Sequence, residues 1–261
     1  MILTGKNAVI YGAGGSLGGA VAKAFAAAGA HVFLTSLHEE AMQKVASEIR
    51  SAGRQVDTRV LDASDSEAVR VHLGTVGMVD ISFNLAGEDL VQGIPLADMS
   101  VEDFLAPILF MLRIRFVTAT AAARVMRRQG PGVILSLTAT PGGIGYPLTA
   151  GFAAACAAME TFSSNLAAEE GIYGTRVVNI RSGGSPDSRV FLEAVESNPM
   201  GMANSLRQME GDTMLKRLPM MQDIANAAVF LASDGAGMIT GVTVDVTGGT
   251  TMGLNYRMQK P

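Results

Sequence analysis

Little in this 261-residue sequence marks it for disulfides, metals or polyanions. It has one cysteine, Cys156, which excludes an internal disulfide framework and suits a reducing compartment. Its three histidines, His31, His38 and His72, show no metal-ligand spacing. Twenty Lys and Arg against 24 Asp and Glu leave a net charge of −4, so no basic excess recommends a nucleic-acid partner. No apolar run approaches the length of a membrane span. The first strand begins by residue 7, which leaves no room for a signal peptide. These absences are read as a cytoplasmic chain with neither a membrane nor a nucleic-acid partner.

What is present is an alternation. Short β-branched runs at 8–11, 31–35, 58–61, 80–85, 133–137, 176–180 and 242–246 are separated by helical stretches near 17–28, 38–52, 65–74, 101–129, 150–169 and 222–233. Uninterrupted apolar strands with helical crossovers predict a parallel sheet covered on both faces. The expected fold is therefore α/β, a doubly wound Rossmann-type sheet of about seven strands in one domain spanning 1–261. From about 184 to 221 the rhythm breaks around Pro186, Pro199 and Pro219, as in a lobe that covers a substrate. That section holds Met200, Met202, Met209, Met214, Met220 and Met221. Adaptable methionines fit either closure over a bulky apolar ligand or the filling of gaps under a mobile loop.

The first strand runs into GAGGSLG at 12–18, followed by a helix. Glycine lets the backbone approach a pyrophosphate, and the helix N-terminus offers free N–H groups to its charge. Tight strand–helix turns need glycine in any case, so position in the first βαβ unit carries the argument. Gly12, Gly15, Ser16 and Leu17 are the expected contacts. At the end of the second strand, Ser36 and Leu37 stand where a nicotinamide-dinucleotide enzyme contacts the adenosine ribose. An acidic residue there would favour NAD; its absence favours NADP.

The run GVILSLTATPGGIGYPLTAGFAAACAAMETFSSNLAAEEGIYGTRVVN resembles the middle of the short-chain dehydrogenases/reductases. Asp62 with Ala63 after the third strand, Asn84-Leu85-Ala86-Gly87, and the closing DVTGG at 245–249 extend the likeness over residues 5 to 249. The resemblance implies that Asp62 and Ala63 meet the adenine, and that Asn84, Ala86 and Gly87 line the dinucleotide. Ser182 and Gly183 stand in the family's Pro-Gly after the sixth strand. It also implies an Asn-Ser-Tyr-Lys tetrad, whose positions here hold Met111, Ala139, Phe152 and Cys156. Tyrosine is the family's proton donor to a carbonyl, and lysine holds the nicotinamide ribose.

Phenylalanine has no proton to give, and a positioned general acid is worth roughly 10²–10⁴-fold. Ordinary ketone reduction is therefore not expected. Tyr146 and Thr138 are the candidate replacements, with Thr140 also near; the longer spacing of the family's enoyl reductases would put the tyrosine at Thr149. Met111, Ala139, Tyr146, Phe152 and Cys156 are the expected substrate pocket, and Glu88 and Asp89 its candidate rim. Cys156 amid alanines reads as a small core residue or, with a depressed pKa, a nucleophile. Two functions remain open: atypical chemistry on a small apolar substrate, or a pseudoenzyme that binds a dinucleotide or ligand as sensor or partner subunit. The resemblance implies a homotetramer or homodimer through the helices near 104–128 and 150–169.

Overall fold

The computed structural model describes residues 1–87 and 91–252. Its core is a seven-stranded parallel sheet in the order β3-β2-β1-β4-β5-β6-β7. The strands are β1 Asn7–Tyr11, β2 His31–Ser36, β3 Val56–Val60, β4 Ile81–Asn84, β5 Val133–Ala139, β6 Arg176–Ser182 and β7 Thr243–Val246. β1 and β4 are almost wholly buried, as strands covered on both faces must be.

The helices are α1 Ser16–Ala27, α2 Glu39–Ser51, α3 Ser66–Val76, α4 Val101–Gln129, α5 Ala150–Glu170, α6 Arg189–Ser197, α7 Pro199–Asp212 and α8 Met221–Ala232. Alternate residues of β1 point to opposite layers. Ala8 and Ile10 pack with Val21, Phe25, Met42, Ile224 and Leu231 of α1, α2 and α8. Val9 and Tyr11 pack with Val69, Leu73, Ile114, Met126 and Leu166 of α3, α4 and α5. Side-chain caps fix α3 and α4, among others. Asp65 accepts from the N–H groups of Glu67 and Ala68 at the start of α3, and Ser100 accepts from Asp103 N–H at the start of α4.

Three expectations need correction. The 184–221 section is not irregular, for α6 and α7 occupy most of it. Pro199 breaks nothing, because it is the first residue of α7, where a missing N–H is harmless, and Asn198 caps that helix by accepting from Gly201 N–H at 3.1 Å. β5 and β6 run two residues further than their apolar runs, since Thr138 and Arg181 find polar partners on the sheet face. Finally, α4 is long and apolar enough to cross a membrane by length and composition. The Arg113 and Arg115 charges hide this from a visual scan. In the fold its buried face, from Pro107 to Met126, lies on the sheet and on its helical neighbours.

The strand order reverses between β1 and β4, because β3 lies at one edge and the chain crosses back to the centre before β4. At such a switch point the loops after the two strands part and leave a crevice at their carboxyl ends. Gly12 and Ala86 follow β1 and β4 there.

Candidate active site and dinucleotide crevice

The loop after β1 is built by close approach. Gly12 has φ +75°, and a Cβ on it would lie 2.5 Å from Ala86 Cα. A Cβ on Gly18 would lie 2.2 Å from Gly12 O, so the first turn of α1 is pressed onto the loop. Gly15 caps α1 without a side chain, leaving the helix N-terminus bare. Ser16 Oγ accepts from Arg189 N–H at 3.2 Å, which ties the start of α6 to this loop.

The adenosine end is open. Leu37 is exposed, and Asp62 is exposed with Oδ1 accepting from Ser64 N–H at 2.8 Å. Ser36 is buried, and its hydroxyl accepts from His38 N–H at 3.0 Å, retaining one proton to donate. Asn84 is a different matter. Its Nδ2 donates to Ile114 O and Thr118 Oγ1, and its Oδ1 accepts from Ala86 N–H and from Arg115. Nothing is left over for a cofactor. The side chain of Asn84 is committed to shaping the turn at 84–87.

The chemical end is a cavity of about 460 Å³ between the strand ends and the 184–221 section. Ala139, Tyr146, Phe152, Ser182, Gly183 and Leu17 line one side. Phe191, Met202, Met209, Leu218 and Met221 close the other. Three of the section's methionines thus face the cavity, whereas Met200 and Met214 are exposed. Among the described residues no Asp, Glu, Lys, Arg or His lines it. Tyr146 is its one titratable side chain, and burial, with Asp212 nearby, raises its pKa above the ordinary phenol value. The backbone approaching α5 is strained, with Leu148 at φ +65° and Ala150 at φ +40°. Leu148 O accepts from Gly93 N–H, which joins this loop to the one after β4.

The four positions that the resemblance assigns to the tetrad come together. Met111 and Cys156 are core members of one apolar cluster with Ala155 and Met159, and Ala139 and Phe152 pack against it. Only Ala139 and Phe152 also line the cavity. Cys156 is fully buried, and burial pushes its thiol pKa up to about 11. A thiol held protonated is no nucleophile at neutral pH, so the core reading stands.

Thr138 does not enter the cavity. Its hydroxyl donates to Glu160 at 2.9 Å and accepts from Asn179 Nδ2 at 2.7 Å, on the helix-covered face of the sheet. Thr140, beyond the end of β5, lines the cavity instead. Glu88 and Asp89 lie outside the described residues. No group of metal-ligating side chains occurs among the described residues. Sequence reasoning passed over Arg115, although one arginine in the buried stripe of an otherwise apolar helix was a legible signal.

Comparison with known proteins gives one answer throughout. A family model described as enoyl-(acyl carrier protein) reductase matches residues 12–251. An uncharacterized oxidoreductase of Thermotoga maritima is 31% identical over 253 residues, covering 96% of this chain and 99% of that one. The 3-oxoacyl-[acyl-carrier-protein] reductase of Chlamydia trachomatis is also 31% identical, over 258 residues, 95% of this chain and 98% of that one. Among solved structures, a gluconate 5-dehydrogenase of Burkholderia cenocepacia in complex with NADP and tartrate superposes with a TM-score of 0.86 at 26% identity, over 97% of each chain. An NAD+-bound xylitol dehydrogenase does so with a TM-score of 0.88 at 25% identity, over 95% of this chain and all of that one.

Proposed function

The chain belongs to the short-chain dehydrogenase/reductase family, and from that premise we propose that it binds NADP(H) or NAD(H) and reduces an uncharged, apolar acceptor. The cavity lining carries the reading: seven Leu, Met and Phe side chains, with Ser and Thr hydroxyls, Tyr146 and the Gln92 amide among them, and no charge among the residues described. A carboxylate would lose its water there with no cation to pair with among the described residues. A bulky, neutral ligand with a conjugated carbonyl, an enone or a quinone, buries mainly apolar surface there. Dinucleotide binding is supported by the close-packed loop at 12–18 and by the bound cofactors of the two superposed structures. The absence of an acidic residue at Ser36 favours NADP.

Held at the 12–18 loop, a reduced dinucleotide would supply the hydride for such an acceptor. On the protein's side, Tyr146 Oη, held protonated by burial, donates the balancing proton to the acceptor oxygen and regains one from solvent. The apolar faces of Phe152 and Met209 exclude competing water. An acceptor whose reduced oxygen is a stabilised enolate or hydroquinone anion makes a smaller demand on that donor than a simple ketone does. The assay is NADPH oxidation with a panel of ketones, enones and quinones; turnover confined to simple ketones refutes this choice.

Ligand binding without turnover is the second reading, favoured by the apolar packing of Met111, Phe152 and Cys156. Binding with no product across the panel supports it. The exposed stripe Leu105, Leu109 and Phe116 on α4, with Phe116 beside Phe162 of α5 at 6.0 Å, suits a homodimer or homotetramer in the cytoplasm. A monomer by light scattering at micromolar concentration refutes the assembly.

A further inference from the structure

Beyond Leu218, which lines the apolar cavity, lies a second cavity of about 410 Å³ that shares this residue. It sits between the segment after α7, the loop after β7 and the start of α8, and its lining is charged. Arg217, Asp223 and Asp245 all belong to it. The two carboxylates are already engaged. Asp245 pairs with Arg181 at 3.0 Å and accepts from Thr251, and Asp223 accepts from Met220 N–H at 2.9 Å. Arg217 is different. Among the described residues its guanidinium forms no ion pair, and only its backbone N–H makes a hydrogen bond, to Thr213 Oγ1.

Neutral donors share the lining. Thr247 is 1% exposed, and its hydroxyl is buried without a partner. Gly248 and Gly249 follow at φ +65° and +89°, in a turn where neither N–H donates to another described residue. This turn is held against the Arg217 segment. Gly248 O accepts from Leu215 N–H at 3.1 Å, and a Cβ on Gly248 would lie 3.0 Å from Arg217 O. Free backbone N–H groups in a turn, beside an unpaired guanidinium, suit an anion.

The rest of the lining selects the anion. Leu215, Leu218, Pro219 and Val246 offer apolar surface to a ligand body. The carboxylates of Asp223 and Asp245 repel a dianion roughly twice as strongly as a monoanion, and a planar carboxylate matches the fork of a single arginine. We propose that this cavity binds a small apolar monocarboxylate, with its charge on Arg217 and the Gly248–Gly249 turn. The site is separate from the dinucleotide crevice and does not rest on the cofactor reading.

Calorimetric titration with octanoate, octanol and inorganic phosphate tests it on the wild type, Arg217→Gln, Lys216→Gln and Asp223→Asn. The wild type is expected to bind octanoate about ten-fold or more tighter than either of the others, the worth of a charge-assisted contact. Arg217→Gln loses that margin. Lys216→Gln removes a neighbouring cation outside the lining, one that donates to Gly211 O, and leaves octanoate affinity unchanged. Asp223→Asn keeps an acceptor for Met220 N–H and removes a repelling charge, so octanoate should tighten about two- to five-fold. Octanol bound as tightly as octanoate puts the ligand in the uncharged cavity and overturns the proposal. Phosphate bound more tightly than octanoate does so too, as does octanoate affinity unaltered by Arg217→Gln or lowered equally by Lys216→Gln. If Arg217→Gln does not fold, Asp223→Asn decides, and unchanged or weaker octanoate binding there is the refuting result. Wild-type protein that binds NADPH but no octanoate refutes this site and leaves the cofactor reading standing.

Discussion

Gly12 and Ala86 touch backbone to backbone across the β1–β4 crossing, with no room for a methyl group between them: a Cβ on Gly12 would stand 2.5 Å from Ala86 Cα. Gly12 also has a φ of +75°, which L side chains rarely adopt. Gly12→Ala must therefore move one of the two loops. The expected outcome is a loss of about 2 kcal/mol or more in denaturant unfolding, together with loss of dinucleotide binding. Gly15→Ala, whose Cβ would meet Gly12 O at 3.3 Å and at ordinary φ, should retain the fold within about 1 kcal/mol. Equal stabilities for the two variants would show that the close approach is not a constraint.

Tyr146→Phe separates the chemistry from binding. If Tyr146 donates the proton, turnover of an active acceptor falls roughly 10²–10⁴-fold while NADPH affinity is kept. The pH profile carries the same information. Because burial raises the Tyr146 pKa above its ordinary value, the donor form persists through pH 6–9, and the wild-type rate should show no loss from tyrosine ionisation in that range. A rate that is unchanged in Tyr146→Phe assigns the proton to solvent.

Restoring the tetrad is expected to need compensation at Arg115. Cys156 is fully buried in an apolar cluster, and a lysine there faces both desolvation and the Arg115 charge. Cys156→Lys alone should lower the thermal midpoint, and Phe152→Tyr alone should give no ketone reduction, since such groups act as a unit. Ala139→Ser/Phe152→Tyr/Cys156→Lys with Arg115→Met is the combination to assay with an activated ketone. A triple variant as stable as wild type without the Arg115 change contradicts the predicted charge conflict.

His72 should make the fold acid-sensitive. Both ring nitrogens are buried without partners, and burial, with Arg59 adding to it, pulls the pKa down to about 4. An unfolded chain titrates its imidazole near pH 6.5. Between those values the unfolded state binds a proton that the folded state refuses. The His72 contribution is therefore fully present above about pH 6.5 and is lost as pH falls toward 4. Urea midpoints measured from pH 7 to 4.5 should decline, and part of the decline should vanish in His72→Leu, which gives up no hydrogen bond. A parallel decline in both proteins would assign the acid sensitivity elsewhere.

Arg127 and Glu170 lock α4 to the end of α5. Arg127 Nε donates to both Glu170 oxygens, at 2.9 and 3.1 Å, and the carboxylate is fully buried while the arginine remains partly exposed. Arg127→Met leaves a buried carboxylate unpaired and should cost about 3 kcal/mol, whereas the double variant Arg127→Met/Glu170→Met should recover most of it. Denaturant titration of the two variants checks this, and similar losses in both would mean that packing, not charge, is at stake.

The sequence alone determined the order of strands and helices and the glycine loop at 12–18, while the neighbourhood of Met111, Ala139, Phe152 and Cys156 was implied by the family resemblance. These are local matters. Uninterrupted apolar strand runs, the helical stretches between them and glycines at a strand–helix turn each depend on a few contiguous residues. The direction of Thr138, the saturation of the Asn84 side chain and the division of the methionines between cavity and solvent were decided only by tertiary structure. Thr138 and Ala139 differ by one position, which in a strand means opposite faces of the sheet; the turn that begins at Thr140 then resets the alternation. Asn84 is consumed by partners thirty and more residues away in the chain. Arg115 was visible as a charge in an apolar stripe, but its hydrogen bonds to Asn84 and Ala86 depended on the end of β4 and the loop after it arriving beside it.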